Sequence, residues 1–299
     1  MPVPATRNAT PARRLAAALE PVVGQVYFSP ECHAGYQALG FARSPARAGR
    51  TALPDGPAYF TSRGSVMGQV AGHVVAAAFS VFDPAAVVPA VTYGWALTDA
   101  PTIGAARDRG AIAQLRRVLG DDLPDLGRVA DLLERAAEPL RVEGRPLYAG
   151  LRSLDVPEDP MGRMWRLGDL LREYRGDSHT IAWASAGLDP VEIGLLTELF
   201  IGLPLRSYIR TRAWPGEAVD AGLERLRSRA LVEDDQFTEA GFELREAIEA
   251  ATDTQLDAAV AALGEDLEEL VGALGPWGAK LRQAGAYLGG GAADLARQR

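Results

Sequence analysis

Cysteine is all but missing from this chain: Cys32 stands alone among 299 residues. No disulfide can form within the chain, and a reducing, cytoplasmic setting is expected. A lone cysteine of this kind reads as a small buried apolar residue rather than a nucleophile. Lysine is as scarce, Lys280 being the one lysine among 31 cations. That arginine bias, with abundant alanine, reflects a GC-rich genome and is no functional signal. The three histidines, His33, His73 and His179, lack the paired spacing that zinc requires, so no metal site is expected. Phosphate-loop, dinucleotide and nucleophile-elbow patterns are absent, so neither a known catalytic motif nor a particular cofactor is indicated. Long apolar runs are missing too. The most apolar stretch, residues 70–82, contains His73 and stops at Asp83 and Pro84. At about four helical turns it is too short to span a bilayer and reads as a buried core helix, with His73 hydrogen-bonded inside. The first residues show no apolar segment behind their positive charges, so no leader peptide is expected. Alternating β patterns are scarce, and nothing repeats at a fixed period.

What is present is helix signal. Hydrophobic residues make up 47% and charged residues 23% of the chain, a globular mixture long enough for one large domain or two ordinary ones. Thr10 and Pro11 open a helix with Leu15, Leu19 and Val22 on one face. Ser29 and Pro30 start the next, which ends at Gly40. Residues 41–57 are rich in Gly, Pro, Ala and Arg and read as a surface loop. Tyr59, Phe60 and Arg63 lead into the helix expected over 68–82. Asp83 with Pro84 caps another helix, and a longer amphipathic one runs from Asp99 to Leu119. A long helix is expected over 160–186, because Met164, Leu167, Leu171, Tyr174, Ser178 and Ile181 recur at three- and four-residue steps. Gly187 stops it. Asp/Pro-rich residues 152–160 suggest a boundary near 155, dividing a helical domain (1–155) from a second domain (156–299). The glycines at 289–291 precede a tail expected to fray.

From Asp189 the elements fall in a recognisable order. A helix over 190–202 is followed by a short one over 204–212, then by a third that starts at Trp214 and Pro215 and buries Val219, Leu223 and Leu226. Leu231 and Val232 lead to the polar turn Glu233, Asp234, Asp235, Gln236, and Phe237 and Thr238 lead away from it. The turn is expected to be exposed between two short strands, with Leu231 and Phe237 packed inward. A last helix carries Leu244, Ile248, Thr252 and Asp253. This order resembles the winged-helix core of MarR-type regulators, in which the third helix reads the major groove and the hairpin is the wing. The fold class expected is therefore all-α, a helical N-terminal domain packed on a winged-helix C-terminal domain with one small hairpin.

The charges oppose DNA binding. Net charge is −8, and the deficit of cations lies in the second half. Between Asp189 and Glu249 seven arginines face thirteen carboxylates. Glu217 and Asp220 open the would-be recognition helix, and Glu233, Asp234 and Asp235 occupy the would-be wing. Phosphate neutralisation supplies most of the affinity for a duplex, so carboxylates there repel it. Arg206, Arg210 and Arg212, and Arg225, Arg227 and Arg229, form two small basic sets that read as salt-bridged faces beside these acids.

The consecutive Leu171, Arg172, Glu173, Tyr174, Arg175, Gly176, Asp177, Ser178 and His179, followed by Gly187, Leu188, Asp189 and Pro190, resemble a group of actinobacterial proteins of a helix-turn-helix family. Glu20 with Pro21, Tyr27 with Phe28, Tyr59 with Phe60 and Arg63, and Arg212 with Ala213 and Trp214 extend the resemblance over about residues 15–265. It implies a structural class and no settled activity. It also implies histidines where this chain has Val23 and Tyr174, so any shared histidine cluster is reduced here to His179.

The residues themselves suggest a site. Arg172, Arg175 and His179 share one helical face, with Glu173 and Asp177 on the next. Such a cluster would receive an anionic ligand, with His179 and Asp177 as acid–base candidates, or else would form a polar, salt-bridged helix edge. Arg63 would reach a ligand carboxylate or, preferably, bridge two helices. A pocket between the halves is expected, lined by Tyr27, Tyr59, Phe60, Arg63, Tyr174, Arg175 and His179, with His179 titrating near neutrality. The expected function is binding or converting a small organic molecule in bacterial specialised metabolism. A ligand-responsive transcription regulator and a protein-interaction module are the alternatives. DNA and membranes are not expected partners, and a homodimer is compatible with the sequence.

Overall fold

The structure, a computed structural model, describes residues 9–297. Helices α1 (Pro11–Val23), α2 (Pro30–Ala38), α3 (Gly56–Gly64), α4 (Gly72–Phe79), α5 (Pro84–Leu97), α6 (Ala100–Leu119), α7 (Leu126–Ala137) and α8 (Pro146–Arg152) form the first half, with a hairpin of β1 (Arg47–Ala48) and β2 (Thr51–Ala52) between α2 and α3. The second half holds α9 (Pro160–Ser185), α10 (Pro190–Phe200), a 3-10 turn (Ile209–Arg212), α11 (Gly216–Ser228), the hairpin β3 (Val232–Glu233) and β4 (Gln236–Phe237), α12 (Glu239–Thr254), α13 (Asp257–Leu263), α14 (Leu267–Gln283) and α15 (Ala292–Ala296). The protein is all-α with small hairpins.

Among the described residues, one device starts seven of these fifteen helices. Thr10, Ser29, Asp55, Asp83, Asp99, Asp159 and Asp189 each accept a first-turn backbone N–H, and each is followed within two residues by proline. The side chain satisfies an orphan donor, and the proline sits where its missing N–H costs nothing.

Three segments differ from expectation. The helix expected over 68–82 is broken: a 3-10 turn covers Ser65–Met67, Gly68 takes φ +81°, and α4 is only two turns long. So short a helix buries only one face, through Val75, Ala76, Ala78 and Phe79, and His73 lies exposed on the other rather than in the core. Residues 41–57 are not a bare surface loop. Ala48, Thr51 and Ala52 are buried, and the Thr51 hydroxyl donates to the Tyr287 carbonyl (3.3 Å), so the hairpin clips onto the C-terminal segment. The tail beyond Gly291 does not fray at once but forms α15; residues 298 and 299 lie outside the described residues.

Two apolar cores organise the chain. The larger runs from Ala12 to Tyr174 and resumes from Leu256 to Leu288. The smaller holds residues from Ala182 to Ile248. This partition does not follow the 1–155 and 156–299 division, because α9 belongs to both cores. Its first half is buried almost all round, from Met161 to Tyr174, and its end packs Ala182 and Trp183 in the smaller core. A single stripe was legible in the sequence; the other faces carry Arg166, Asp169, Glu173 and Asp177, all buried.

Within the smaller core, α10, the 3-10 turn, α11, β3–β4 and α12 keep the expected order. The second helix shrinks to the 3-10 turn because the buried Glu198 carboxylate accepts the backbone N–H groups of Arg206, Tyr208 and Ile209, and Arg206 and Ala213 take positive φ. Leu231 is buried, Phe237 packs against the core, and the intervening turn residues are exposed. Asp234 and Asp235 both have positive φ, 47° and 58°. A two-residue turn of this kind favours Asn-Gly. The double substitution Asp234→Asn, Asp235→Gly is therefore expected to raise stability by about 0.5–1 kcal/mol in urea unfolding. A loss of stability would contradict the left-handed turn.

Candidate functional site

The densest polar cluster is built on α9. Glu173 is buried and accepts from Arg63 of α3 twice, Nε to Oε1 at 3.0 Å and Nη2 to Oε2 at 2.7 Å. Arg172 Nη1 (2.9 Å) and the Tyr27 hydroxyl (3.0 Å) donate to Oε1 as well. Arg172 turns its other edge to Glu20, at 2.9 and 3.2 Å. Burial alone would push the Glu173 carboxyl up, but the Arg63 and Arg172 guanidiniums outweigh it and hold it at about 2. Arg63 is thus a bridge between two helices.

Further along α9, Arg175 Nη2 donates to Glu249 at 2.9 Å and approaches Asp253 at 3.5 Å, both on α12. His179 Nδ1 lies 3.1 Å from Thr252 Oγ1. The Thr252 hydroxyl proton is directed at the Ile248 carbonyl (2.8 Å), so Nδ1 is the donor. Burial pushes His179 down to about 4, against the pull of Glu249. This corrects the expectation of titration near neutrality: loss of water around the imidazolium, with Arg245 and Arg175 nearby, outweighs the one carboxylate 3.8 Å away. Asp177 is buried and accepts the Tyr148 backbone N–H (3.0 Å), closing the first turn of α8; burial pushes its carboxyl up to about 7, with nearby Glu173 adding to the shift. Tyr174 donates its hydroxyl to the Gln255 carbonyl (3.0 Å) and meets the Tyr148 ring edge-on.

The expected pocket is divided. A cavity of about 460 Å³ has Tyr27, Tyr59 and Phe60 in its wall, but also Phe82, Tyr208 and Tyr287. The rings of Tyr59, Phe60 and Phe82 lie 5.1–5.8 Å apart, centroid to centroid, and Tyr27 meets Tyr59 edge-on at 5.2 Å. Two arginines line it, Arg172 and Arg212. A smaller hollow of about 280 Å³, sharing Glu20 and Arg172 with the first, is lined by Arg63 and Arg175. His179, Asp177 and Tyr174 line neither. Phe82, Tyr208, Arg212 and Tyr287 were missed as a site because they come from three distant segments. Their only sequence signal is aromatic or cationic identity beside turns.

The side of the 460 Å³ cavity facing the smaller core is the 3-10 turn, through Tyr208, Thr211 and Arg212. That turn is fastened to the larger body at residues 81–83. The Asp83 N–H donates to the Arg212 carbonyl (2.9 Å), and Trp214 Nε1 donates to the Val81 carbonyl (2.9 Å). Helix α11 begins two residues after Trp214. A hollow of about 530 Å³ lies elsewhere, lined by Gly104, Arg107, Asp108, Gly150 and Arg166 among others. Its arginines are neutralised by Asp169 and Asp108, and no ring lines it.

The outer face of α11 shows Glu217, Asp220 and Glu224, and the exposed turn shows Glu233, Asp234 and Asp235. The arginines nearby are paired: Arg206 with Asp220 (2.6 Å), Arg225 with Asp189, Arg227 with Asp235 (2.9 Å) and Arg229 with Glu192 (3.4 Å). Among the described residues no group of three or more His, Cys, Asp and Glu side chains is placed to hold a metal, and no helix is long and apolar enough to cross a membrane.

A three-helix order with a tight turn before α11, mounted on a larger helical body, defines a helix-turn-helix protein. The chain belongs to the helix-turn-helix family, whose family model matches residues 12–288. No curated protein and no solved structure matches it.

Proposed function

We propose that this helix-turn-helix protein binds a small organic molecule in the 460 Å³ cavity. One observation carries the reading: seven aromatic rings, Phe28 among them, converge on a hollow whose walls come from the larger body and from the turn that leads into α11. Cavities of this size with apolar walls and few polar groups are where organic ligands bind. His179 and Asp177, each bonded to a neighbouring helix, then act as joints of the fold rather than as acid and base. Fluorescence titration with neutral 1-anilinonaphthalene tests the reading. Saturable binding at one site is expected, and Ala292→Trp, which fills the cavity wall, is expected to abolish it. Binding unaffected by Ala292→Trp would overturn the assignment.

A second reading, a ligand-responsive DNA-binding regulator, is favoured by the family and by the closeness of the cavity to α11. The surface charge weighs against tight duplex binding. We expect no micromolar binding of generic duplex DNA at physiological salt in fluorescence anisotropy. Binding that weakens steeply with salt would restore the regulator reading.

A further inference from the structure

We propose that the ligand of this cavity is an aromatic organic acid whose anionic group is received by Arg212; the inference rests on the reading that the cavity binds a small molecule. The argument turns on which wall charges are already satisfied. Arg172 spends its donors on Glu20, Glu173 and the Tyr27 hydroxyl. Glu20, the one carboxylate in the wall, accepts both from Arg172 and from the Tyr287 hydroxyl, at 3.0 Å for the latter. A cationic ligand would have to displace these bonds. Arg212 differs. Among the described residues it makes no ion pair, and its side chain makes one hydrogen bond, from Nη2 to the Tyr208 hydroxyl. Its guanidinium lies over the rings of Phe82 (4.7 Å) and Tyr208 (4.6 Å). The two rings hold the group by cation–π attraction, and with one N–H spent on Tyr208 its other donors are left for an acceptor.

The wall therefore carries one positive charge more than its own carboxylates neutralise, placed against two rings. A monoanion balances it. The remaining wall is ring and aliphatic surface, which suits a flat apolar body and disfavours sugars or polyphosphates, whose many polar groups would lose water without partners. A carboxylate or sulfonate on a fused or linked ring system meets both demands.

The test compares two probes that share one ring system. 8-Anilinonaphthalene-1-sulfonate carries an anion that 1-anilinonaphthalene lacks. On the full chain the sulfonate is expected to bind about tenfold tighter than the neutral probe at low salt, as a charge-assisted contact implies. Arg212→Gln is expected to remove that preference by weakening the sulfonate about tenfold and the neutral probe far less, and Arg212→Lys, which keeps the charge, to retain part of it. Equal affinities in the wild type would overturn the acid assignment and leave cavity binding standing. An Arg212→Gln variant that weakens both probes alike would also overturn it, since the arginine would then only hold up the wall. Failure of both probes to bind would contradict the cavity reading itself.

Discussion

Replacing Glu173 with glutamine is expected to cost about 3–5 kcal/mol of stability, the range for a broken buried ion pair. The carboxylate is the shared acceptor of Arg63, Arg172 and Tyr27, and its side chain is 2% exposed. The Arg63 side chain is 15% exposed and has no other carboxylate within ion-pair distance among the described residues, so the substitution strands its charge. Arg172 keeps Glu20 and suffers less. Urea denaturation measures the loss directly. The double variant Glu173→Gln, Arg63→Met should recover part of it, because removing both charges relieves the stranded one. A loss below about 1 kcal/mol would show that the cluster does not tie α3 and α9 together.

The second large effect is a pair of opposed pH dependences on the same helix. Asp177 sits at about 7, raised from an ordinary 3.8 by burial. Its protonated form contributes stability that is present below the ordinary value and is lost as pH rises through 7. His179 sits at about 4, lowered from 6.5 by burial. Its neutral form contributes stability that is present above 6.5 and is lost as pH falls through 4. The charged neighbours are Glu249, Arg245 and Arg175 around the histidine, and Glu173 and Arg63 around the aspartate. Glu173 and Glu249, both held at about 2, do not titrate between pH 5 and 7. Over most of that window the two contributions cancel in the wild type. Burial also shifts His33 down and Asp108 and Glu198 up, so each variant is read against the wild type. From about pH 5 to 6.5, His179→Gln should lose about 2 kcal/mol of stability relative to the wild type, and Asp177→Asn should gain about 2 kcal/mol relative to it. Slopes relative to the wild type that share one sign would refute this account of the helix.

The sequence is most readable where the physics is local. The caps at Thr10, Ser29, Asp83, Asp99 and Asp189 announce their helices because side chain and proline act within one turn. The β3–β4 hairpin is equally legible from a polar turn between Val232 and Phe237. Reading fails where the partner is remote. His73 lies in an apolar string, yet only tertiary packing decides that α4 turns that position outward. Glu173 reads as one member of a helical pair, while its real partners stand 110 and 146 residues away in Arg63 and Tyr27.

The same reason explains the divided site. Tyr27, Tyr59 and Phe60 are legible in the sequence as members of the aromatic pairs Tyr27 with Phe28 and Tyr59 with Phe60. Arg206, Arg210 and Arg212 look like one basic face only if the segment is helical. Since it is a turn with positive φ at Arg206, they separate: Arg206 pairs with Asp220, Arg210 reaches the Ala296 carbonyl, and Arg212 enters the cavity wall.

A crystal structure of the full chain with 8-anilinonaphthalene-1-sulfonate tests the central claim most directly. The account predicts its rings among Tyr27, Tyr59 and Tyr208, with the sulfonate within hydrogen-bonding distance of Arg212. A probe bound instead in the hollow beside Arg166, or on the outer surface with the aromatic cavity empty, would contradict it.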